Sequence, residues 1–171
     1  MSLPDLILYR STDGASTFAQ QRFALPERPM TTGQSSRGDS RGGQDRIYLA
    51  PDRAGDLWLA AFDGLYRAHA SAPKVSDQSP SFARLPGVDE IHAFGFGKAA
   101  PNRSYPAMYL VGTVRGQRGV FRSTDEGRRW VRINDDQHQW GLVLQITGDP
   151  KRFGRVYVGT HGRGTLYGDP R

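Results

Sequence analysis

The chain has 171 residues, no cysteine and a formal net charge of +6 at pH 7. Without cysteine it forms no disulfide and no cysteine-ligated zinc site. It has no apolar run of about 18 residues, which excludes a transmembrane helix, and its first residues show no secretory signal pattern. The charge comes from 20 Arg and 3 Lys that are scattered singly. Because a basic patch rather than a basic total indicates a nucleic-acid site, we expect no nucleic-acid and no membrane partner.

The chain contains 21 Gly and 11 Pro, and no stretch of a dozen residues keeps a helical period. We therefore predict short strands joined by turns. The first strand is 6–10. Three strand pairs follow along the chain, namely 55–60 with 65–67, 107–112 with 119–122, and 154–159 with 164–167.

An aromatic residue marks the second strand of each pair, and these residues are Tyr9, Tyr66, Phe121 and Tyr167. They recur about every 50 residues. Strand hairpins that repeat at this spacing, with glycine at their turns, are typical of β-propeller blades.

A second motif follows two of these aromatic residues. Segment 123–130 fits the Asp-box pattern Ser-x-Asp-x-Gly-x-x-Trp, and segment 11–18 is a looser copy with Ala15 in the glycine position. The residues of the two boxes are Ser11, Asp13, Phe18, Ser123, Asp125, Gly127 and Trp130. Serine and aspartate oxygens accept backbone N–H groups in a tight turn, and glycine supplies a positive φ. We predict that the boxes are structural.

These patterns predict an all-β fold, a β-propeller with Asp-box repeats, in which residues 1–171 form about three to four blades. The blade pieces are 1–25, 45–86, 88–134 and 140–171. Two polar segments, 28–46 and 73–80, are predicted to be mobile loops. The second lies where an Asp-box is missing from piece 45–86, which keeps only the aromatic Phe82.

Candidate chemistry is concentrated in segment 134–141, where acid, amide, imidazole and indole groups follow one another without an apolar period. Carboxylates and amides bind sugar hydroxyls, and an aromatic ring covers the apolar face of a sugar. We predict that Asp136, His138 and Trp140 bind substrate. The alternative is that Asn134, Asp135 and Asp136 form a turn that their own side chains cap.

Other sites have weaker support. The remaining carboxylates outside turns are Asp89, Glu90 and Asp149. The four histidines lie far apart, without the spacing of metal ligands, and no phosphate-binding or nucleophile-elbow motif occurs. We therefore expect no metal and no cofactor. The glycine-rich run 95–98 is interpreted as a buried blade strand.

Three stretches together resemble the C-terminal propeller of glycoside hydrolase family 74, the xyloglucan-specific endo-β-1,4-glucanases. They are 55–67, 93–110 and 119–157, so the resemblance covers nearly the whole chain apart from the two loops. It implies an enzyme of two seven-bladed propellers facing each other across a cleft. The implied reaction is inverting hydrolysis that uses one Asp from each propeller and no metal. Only the last three to four blades of the second propeller match this chain.

The resemblance therefore implies a fragment of a glycosidase that is inactive alone, because both catalytic Asp positions fall outside this chain. No catalytic residue is assigned. The parent enzyme acts on xyloglucan or a related plant cell-wall β-glucan and is secreted or periplasmic. This chain shows no signal peptide, so its own compartment is left open, the cytoplasm included. The alternative is a non-catalytic glycan-binding module, or one that self-associates or joins a partner half-propeller, because an incomplete propeller leaves strand edges unpaired.

Overall fold

The computed structural model describes residues 5–26, 45–69, 80–138 and 140–170. These residues form thirteen β-strands in four antiparallel sheets. They contain no helix, and thus none that is long and apolar enough to cross a membrane. The predicted all-β fold is confirmed.

Each sheet is formed by strands that are consecutive along the chain, as in a propeller blade, and we name the sheets blades A to D. Blade A contains β1 (Asp5–Arg10) and β2 (Ala19–Ala24). Blade B contains β3 (Arg46–Leu49), β4 (Asp56–Ala61), β5 (Gly64–His69) and β6 (Ala83–Arg84). Blade C contains β7 (Val88–Gly97), β8 (Ala107–Val114), β9 (Gln117–Ser123) and β10 (Val131–Arg132). Blade D contains β11 (Val143–Gly148), β12 (Val156–Thr160) and β13 (Thr165–Gly168).

The two predicted loops fall almost entirely outside the described residues. Of segment 28–46, only its last two residues are described, and Arg46 is already the first residue of β3. The prediction that this loop extends to Arg46 is wrong, because Arg46 pairs with Ala60 in blade B. Of segment 73–80, only Pro80 is described, and its carbonyl accepts a hydrogen bond from the Ala24 amide.

The blades pack face to face, with an apolar cluster at each of the three interfaces. All six residues of β4 are buried because both faces of its sheet are covered. Leu57 and Leu59 pack toward blade A, whereas Trp58 packs toward blade C, as the alternation of side chains along a strand requires. A fully buried side chain of this size contributes about 1.5–3 kcal/mol, so these interfaces hold the blades together.

Glycines allow β7 of blade C to run very close beside β11 of blade D. A Cβ atom on Gly95 would collide with the backbone carbonyl oxygen of Ile146. A Cβ atom on Gly97 would lie 2.6 Å from the Cα atom of Gly148. The glycine-rich run is therefore part of a packed strand, as predicted from the sequence.

The antiparallel strands give every blade two ends, which form two faces of the molecule. The Asp-box face carries the Asp-boxes and the connections 50–55, 98–106 and 149–155. The opposite face, here called the hairpin face, carries the turns that follow β4, β8 and β12, the connection from blade B to blade C and the connection from blade C to blade D. Segment 133–142 connects β10 to β11 and thus belongs to the hairpin face, away from the Asp-boxes.

Candidate functional site

The Asp-box of blade C is a closed set of local hydrogen bonds. The Ser123 hydroxyl donates to Asp125 Oδ1 at 2.9 Å and accepts the Gly127 amide at 2.9 Å. Asp125 Oδ1 also accepts the Arg129 amide at 2.8 Å. Glu126 and Gly127 both have positive φ, which turns the chain sharply enough to bring these groups together. The side chains are therefore occupied in forming the turn.

The Asp-box of blade A has the same arrangement. Ser11 donates to Asp13 at 2.8 Å and accepts the Ala15 amide at 2.8 Å. Asp13 accepts the Thr17 hydroxyl at 2.6 Å and the Thr17 amide at 3.0 Å. These bonds from Thr17, with that from Ser11, lower the pKa of Asp13 to about 2. The aromatic residue of this box, Phe18, is 59% exposed.

Replacing Ala15 by glycine should stabilise the protein. Ala15 has a φ of 70°, and Gly127 occupies the equivalent position of the other box at 80°. A left-handed conformation costs a non-glycine residue about 1 kcal/mol or more, part of which is offset by the greater unfolded-state entropy of glycine. We expect Ala15→Gly to raise the free energy of unfolding by about 0.5 kcal/mol in urea titrations. The reverse change, Gly127→Ala, should lower it, and a loss of stability in Ala15→Gly would contradict this reading.

A partly buried charge network links blades B and C on the Asp-box face, and it was not predicted from the sequence. Arg67 Nε and Nη2 donate to Asp56 Oδ1 and Oδ2 at 2.8 and 2.7 Å. Arg67 Nη1 donates to Glu126 of the blade C Asp-box at 2.7 Å. The Tyr105 hydroxyl donates to Asp56 at 2.6 Å and accepts the Trp58 indole N–H at 2.9 Å.

The same network explains how a carboxylate is tolerated in the core. The Asp56 side chain is 6% exposed, and the Arg67 guanidinium also lies 4.9 Å from the Trp58 ring centroid. Burial raises the pKa of Asp56, but the hydrogen bonds from Arg67 and Tyr105 outweigh it and hold the pKa below its ordinary value. Burial and the bond to Asp56 raise the pKa of Tyr105. The only sequence signal was an acidic residue at the start of an otherwise apolar strand.

Segment 134–138 is a self-capped turn on the hairpin face. Asn134 Oδ1 accepts the Val120 amide at 2.8 Å, and its Nδ2 donates to the Asp135 carbonyl at 3.1 Å. Asp135 Oδ1 accepts the His138 amide at 2.7 Å and lies 2.6 Å from His138 Nδ1. The hydrogen bonds from His138 hold the pKa of Asp135 below its ordinary value. Asn134 and Asp135 thus cap the turn, as the alternative interpretation predicted, whereas Asp136, its third residue, pairs with Arg132 instead.

The three residues predicted to bind substrate lie on or beside this turn. Asp136 Oδ1 accepts a hydrogen bond from Arg132 Nη2 at 2.7 Å, and the Asp136 side chain is 89% exposed. The His138 side chain is 55% exposed. Trp140 is partly buried and packs against the apolar cluster between blades C and D. The turn therefore presents one carboxylate and one imidazole to solvent beside an indole ring.

A groove of about 710 Å³ begins at this turn and runs between blades C and D to the Asp-box face. We call it the C–D groove. Its apolar lining residues are Val120, Ile133, Trp140, Val156, Val158 and Leu166. Asp135 and His138 line its end on the hairpin face.

The other candidate carboxylates have local partners. Asp89 accepts the Gly116 amide at 2.8 Å, and Glu90 lies 2.9 Å from His92 Nε2. Asp149 caps the next turn by accepting the Lys151 amide at 2.7 Å. In the part of the chain that the structure describes, no group of three or more acidic or histidine side chains is arranged to hold a metal ion.

Comparison with known proteins finds that this chain is similar to segments of proteins named as xyloglucanases. It is 42% identical over 166 residues to a xyloglucanase of a Paenibacillus species, a match that covers 95% of this chain and 14% of the relative. A xyloglucanase of Acetivibrio thermocellus is 42% identical over 163 residues, covering 95% of this chain and 17% of the relative. The chain matches no protein-family model.

The fold is similar to that of a solved enzyme over almost the whole chain. The crystal structure of the GH74 xyloglucanase from Xanthomonas campestris matches with a TM-score of 0.69 and 37% identity, covering 96% of this chain and 21% of that one. The chain thus spans well under a quarter of the length of these relatives.

Proposed function

We propose that this chain, which matches a segment of glycoside hydrolase family 74 in sequence and fold, forms part of the glycan-binding face of a protein that cleaves xyloglucan. The observation that carries the proposal is the 42% identity to xyloglucanases over 95% of the chain. The proposed substrate of the whole protein is the β-1,4-glucan backbone of xyloglucan.

The proposed contribution of this chain is binding by the hairpin face. Asp136 and His138 are exposed there on a turn that hydrogen bonds hold in shape, so they can bind sugar hydroxyls without ordering a flexible loop. Trp140 lies beside them and offers an aromatic surface. This arrangement of polar and aromatic groups suits a carbohydrate.

Hydrolysis is proposed to need groups that this chain does not supply. Inversion requires two carboxyl groups about 6.5–9.5 Å apart on opposite sides of the scissile bond, one of them to activate water. Asp135 already interacts with the amide and the ring of His138 within the turn, and Asp136 forms an ion pair with Arg132. A catalytic acid needs a raised pKa, whereas the hydrogen bonds from His138 lower the pKa of Asp135. The chain alone is therefore proposed to bind without cleaving.

Binding should depend on His138. We expect His138→Ala to weaken retention of the purified chain in xyloglucan-containing native gels by about fivefold, the equivalent of one hydrogen bond of about 1 kcal/mol. His69→Ala is the matched control, because His69 is also exposed but ends β5 on the Asp-box face. Equal retention of both variants and the unmodified chain would contradict the assignment of the hairpin face.

A self-associating module is the second candidate. Blade A exposes Ile7, Tyr9 and Phe18 by 44, 67 and 59%. Apolar side chains favour association when they lie beside a strand edge, and the edge of blade A has no partner strand among the described residues. Light scattering of the purified chain measures its mass in solution and tests this candidate. A chain that stays monomeric at micromolar concentration would exclude self-association.

A further inference from the structure

Basic side chains that are scattered along the sequence come together on the Asp-box face of blades C and D. Three connections form this part of the face, namely 98–106, 123–130 and 149–155. They contain seven Lys and Arg residues but only three Asp and Glu residues. Six of the seven cations are exposed, and we call these six the basic surface: Lys98, Arg103, Arg128, Arg129, Lys151 and Arg152. The fold thus produces a patch from cations that stand singly in the sequence.

The acidic residues of the same connections have partners of their own. Asp125 Oδ1 and Asp149 Oδ1 accept backbone amides of their own turns at 2.8 and 2.7 Å. Glu126 accepts a hydrogen bond from Arg67 of blade B at 2.7 Å. These carboxylates therefore stabilise the turns and the interface between blades B and C.

One acidic residue outside the three connections belongs to the same region. Asp169 follows β13 and accepts two hydrogen bonds from Arg155, the seventh cation. Its Oδ2 atom also lies 3.5 Å from Arg152 Nη2. Seven cations and four carboxylates, with Asp169 included, still leave an excess of three positive charges.

Hydrogen bonds between the connections hold the basic surface in one arrangement. The Lys98 ammonium donates to the Lys151 carbonyl at 2.8 Å, which joins the connections of blades C and D. Tyr105 and Glu126 both bind the charge network of blade B, which fixes the first connection of blade C relative to its Asp-box. Because the backbone that carries the cations is already ordered, a ligand does not need to order it on binding.

The hairpin face of the same two blades has no excess of charge. Its connections 115–116, 133–142 and 161–164 contain two Arg and two Asp residues. The positive potential is therefore stronger at the Asp-box end of these blades. Clustered charge of one sign raises the local concentration of ligands of the opposite sign.

The basic surface offers charge without apolar contacts. None of the large apolar side chains that the described residues expose lies in connections 98–106, 123–130 or 149–155. Single-stranded nucleic acids need aromatic side chains on which their bases stack, and membrane-surface binding needs apolar side chains that enter the bilayer. The surface therefore suits a polyanion that is bound through its charged groups alone.

We propose that the basic surface binds an acidic polysaccharide, a polyuronate with one carboxylate on each sugar. Four of its six cations are Arg, whose planar guanidinium group donates two parallel hydrogen bonds to a carboxylate. The requirement for a polyanion rests on the charge of the surface, and the choice of a polysaccharide rests on the proposed function. The site lies at the opposite end of the blades from the proposed glycan-binding face, so the two ligands bind independently.

The test measures binding of a fluorescent oligogalacturonate to the purified chain by fluorescence anisotropy. We expect saturable binding that weakens about tenfold or more as the salt concentration rises from about 50 to about 200 mM, because salt screens the charges. The methyl-esterified oligomer has the same sugars without their charges, and we expect it not to bind measurably. Neither measurement needs a protein variant.

Replacing Arg128 and Arg129 together by glutamate should weaken the binding about tenfold, because two contacts are lost and two repulsions are added. Arg115→Glu combined with Arg118→Glu is the matched control. It makes the same change of charge at two exposed Arg residues on the hairpin face and should weaken binding less than about twofold. Circular dichroism checks that both variants fold.

Several results would overturn the proposal. Absence of saturable binding, or equal binding of the methyl-esterified oligomer, would show that the surface does not recognise carboxylates. Equal weakening by the two double substitutions would show that only the net charge of the chain matters. Tighter binding of a single-stranded oligodeoxynucleotide of equal charge would identify a nucleic-acid site instead. Binding of the oligogalacturonate without binding of xyloglucan would contradict the proposed function alone.

Discussion

Replacing Gly95 by alanine is expected to lower the free energy of unfolding by about 3 kcal/mol, the upper range for a side chain forced into a packed core. The added Cβ atom would collide with the backbone carbonyl oxygen of Ile146, and a backbone group cannot move aside as a flexible side chain can. Because β11 must shift away from β7, the loss of stability arises from weaker packing at the interface between blades C and D. Urea denaturation followed by tryptophan fluorescence measures it.

Gly168→Ala is the matched control. Gly168 also lies in a strand, but a Cβ atom there would meet only Val156 Cγ1, at an ordinary contact distance of 4.0 Å. Its expected effect is within about 0.5 kcal/mol. Equal effects of the two substitutions would show that the close approach of β7 and β11 does not occur in solution.

Replacing Arg67 by methionine is expected to cost about 3–5 kcal/mol, the usual result of removing one partner of a buried ion pair. Asp56 would keep the hydrogen bond from Tyr105 and a contact of 3.7 Å with His69 Nδ1 to compensate its buried charge, and Glu126 would lose its contact with blade B. Arg155→Met is the matched control. Arg155 also forms two hydrogen bonds to one carboxylate, Asp169, but both side chains are partly exposed, so we expect a much smaller loss.

The loss of stability caused by Arg67→Met should become smaller as the pH falls into the acid range. The pKa of Asp56 is lowered below 3.8 in the folded protein, so its contribution to stability is complete above that value. The contribution disappears as pH falls through the folded pKa, because the protonated carboxyl no longer needs the guanidinium. The stability difference between the unmodified protein and the variant should therefore be fully present above about pH 3.8 and narrow as the pH falls below that value. A difference that widens in acid would contradict the role given to Asp56.

The blades could be predicted from the sequence because their signals are local. Strand hairpins, turn glycines and the recurring residues Tyr9, Tyr66, Phe121 and Tyr167 each lie within a few residues of the strands they define. The Asp-box turns are local in the same way, since Ser123 and Asp125 bond within the motif. The family resemblance was found from longer stretches of the same kind.

The charge network could not be predicted, because it depends on contacts between blades. Asp56 and Arg67 lie diagonally across β4 and β5 of blade B, but Tyr105 and Glu126 reach them from blade C. The sequence left two readings of Asn134 and Asp135 open for a related reason: only coordinates show whether their oxygens accept backbone amides or face solvent. The structure assigns these two residues to the turn and leaves Asp136 and His138 exposed.

The central proposal is that this chain binds xyloglucan without cleaving it. It is tested most directly by calorimetric titration of the purified chain with a xyloglucan oligosaccharide, followed by chromatography of the recovered sugar. We predict a saturable heat of binding and an oligosaccharide that is recovered intact. Absence of binding at millimolar oligosaccharide would contradict the proposed glycan-binding face, and recovery of shortened products would contradict the proposal that hydrolysis needs groups outside this chain.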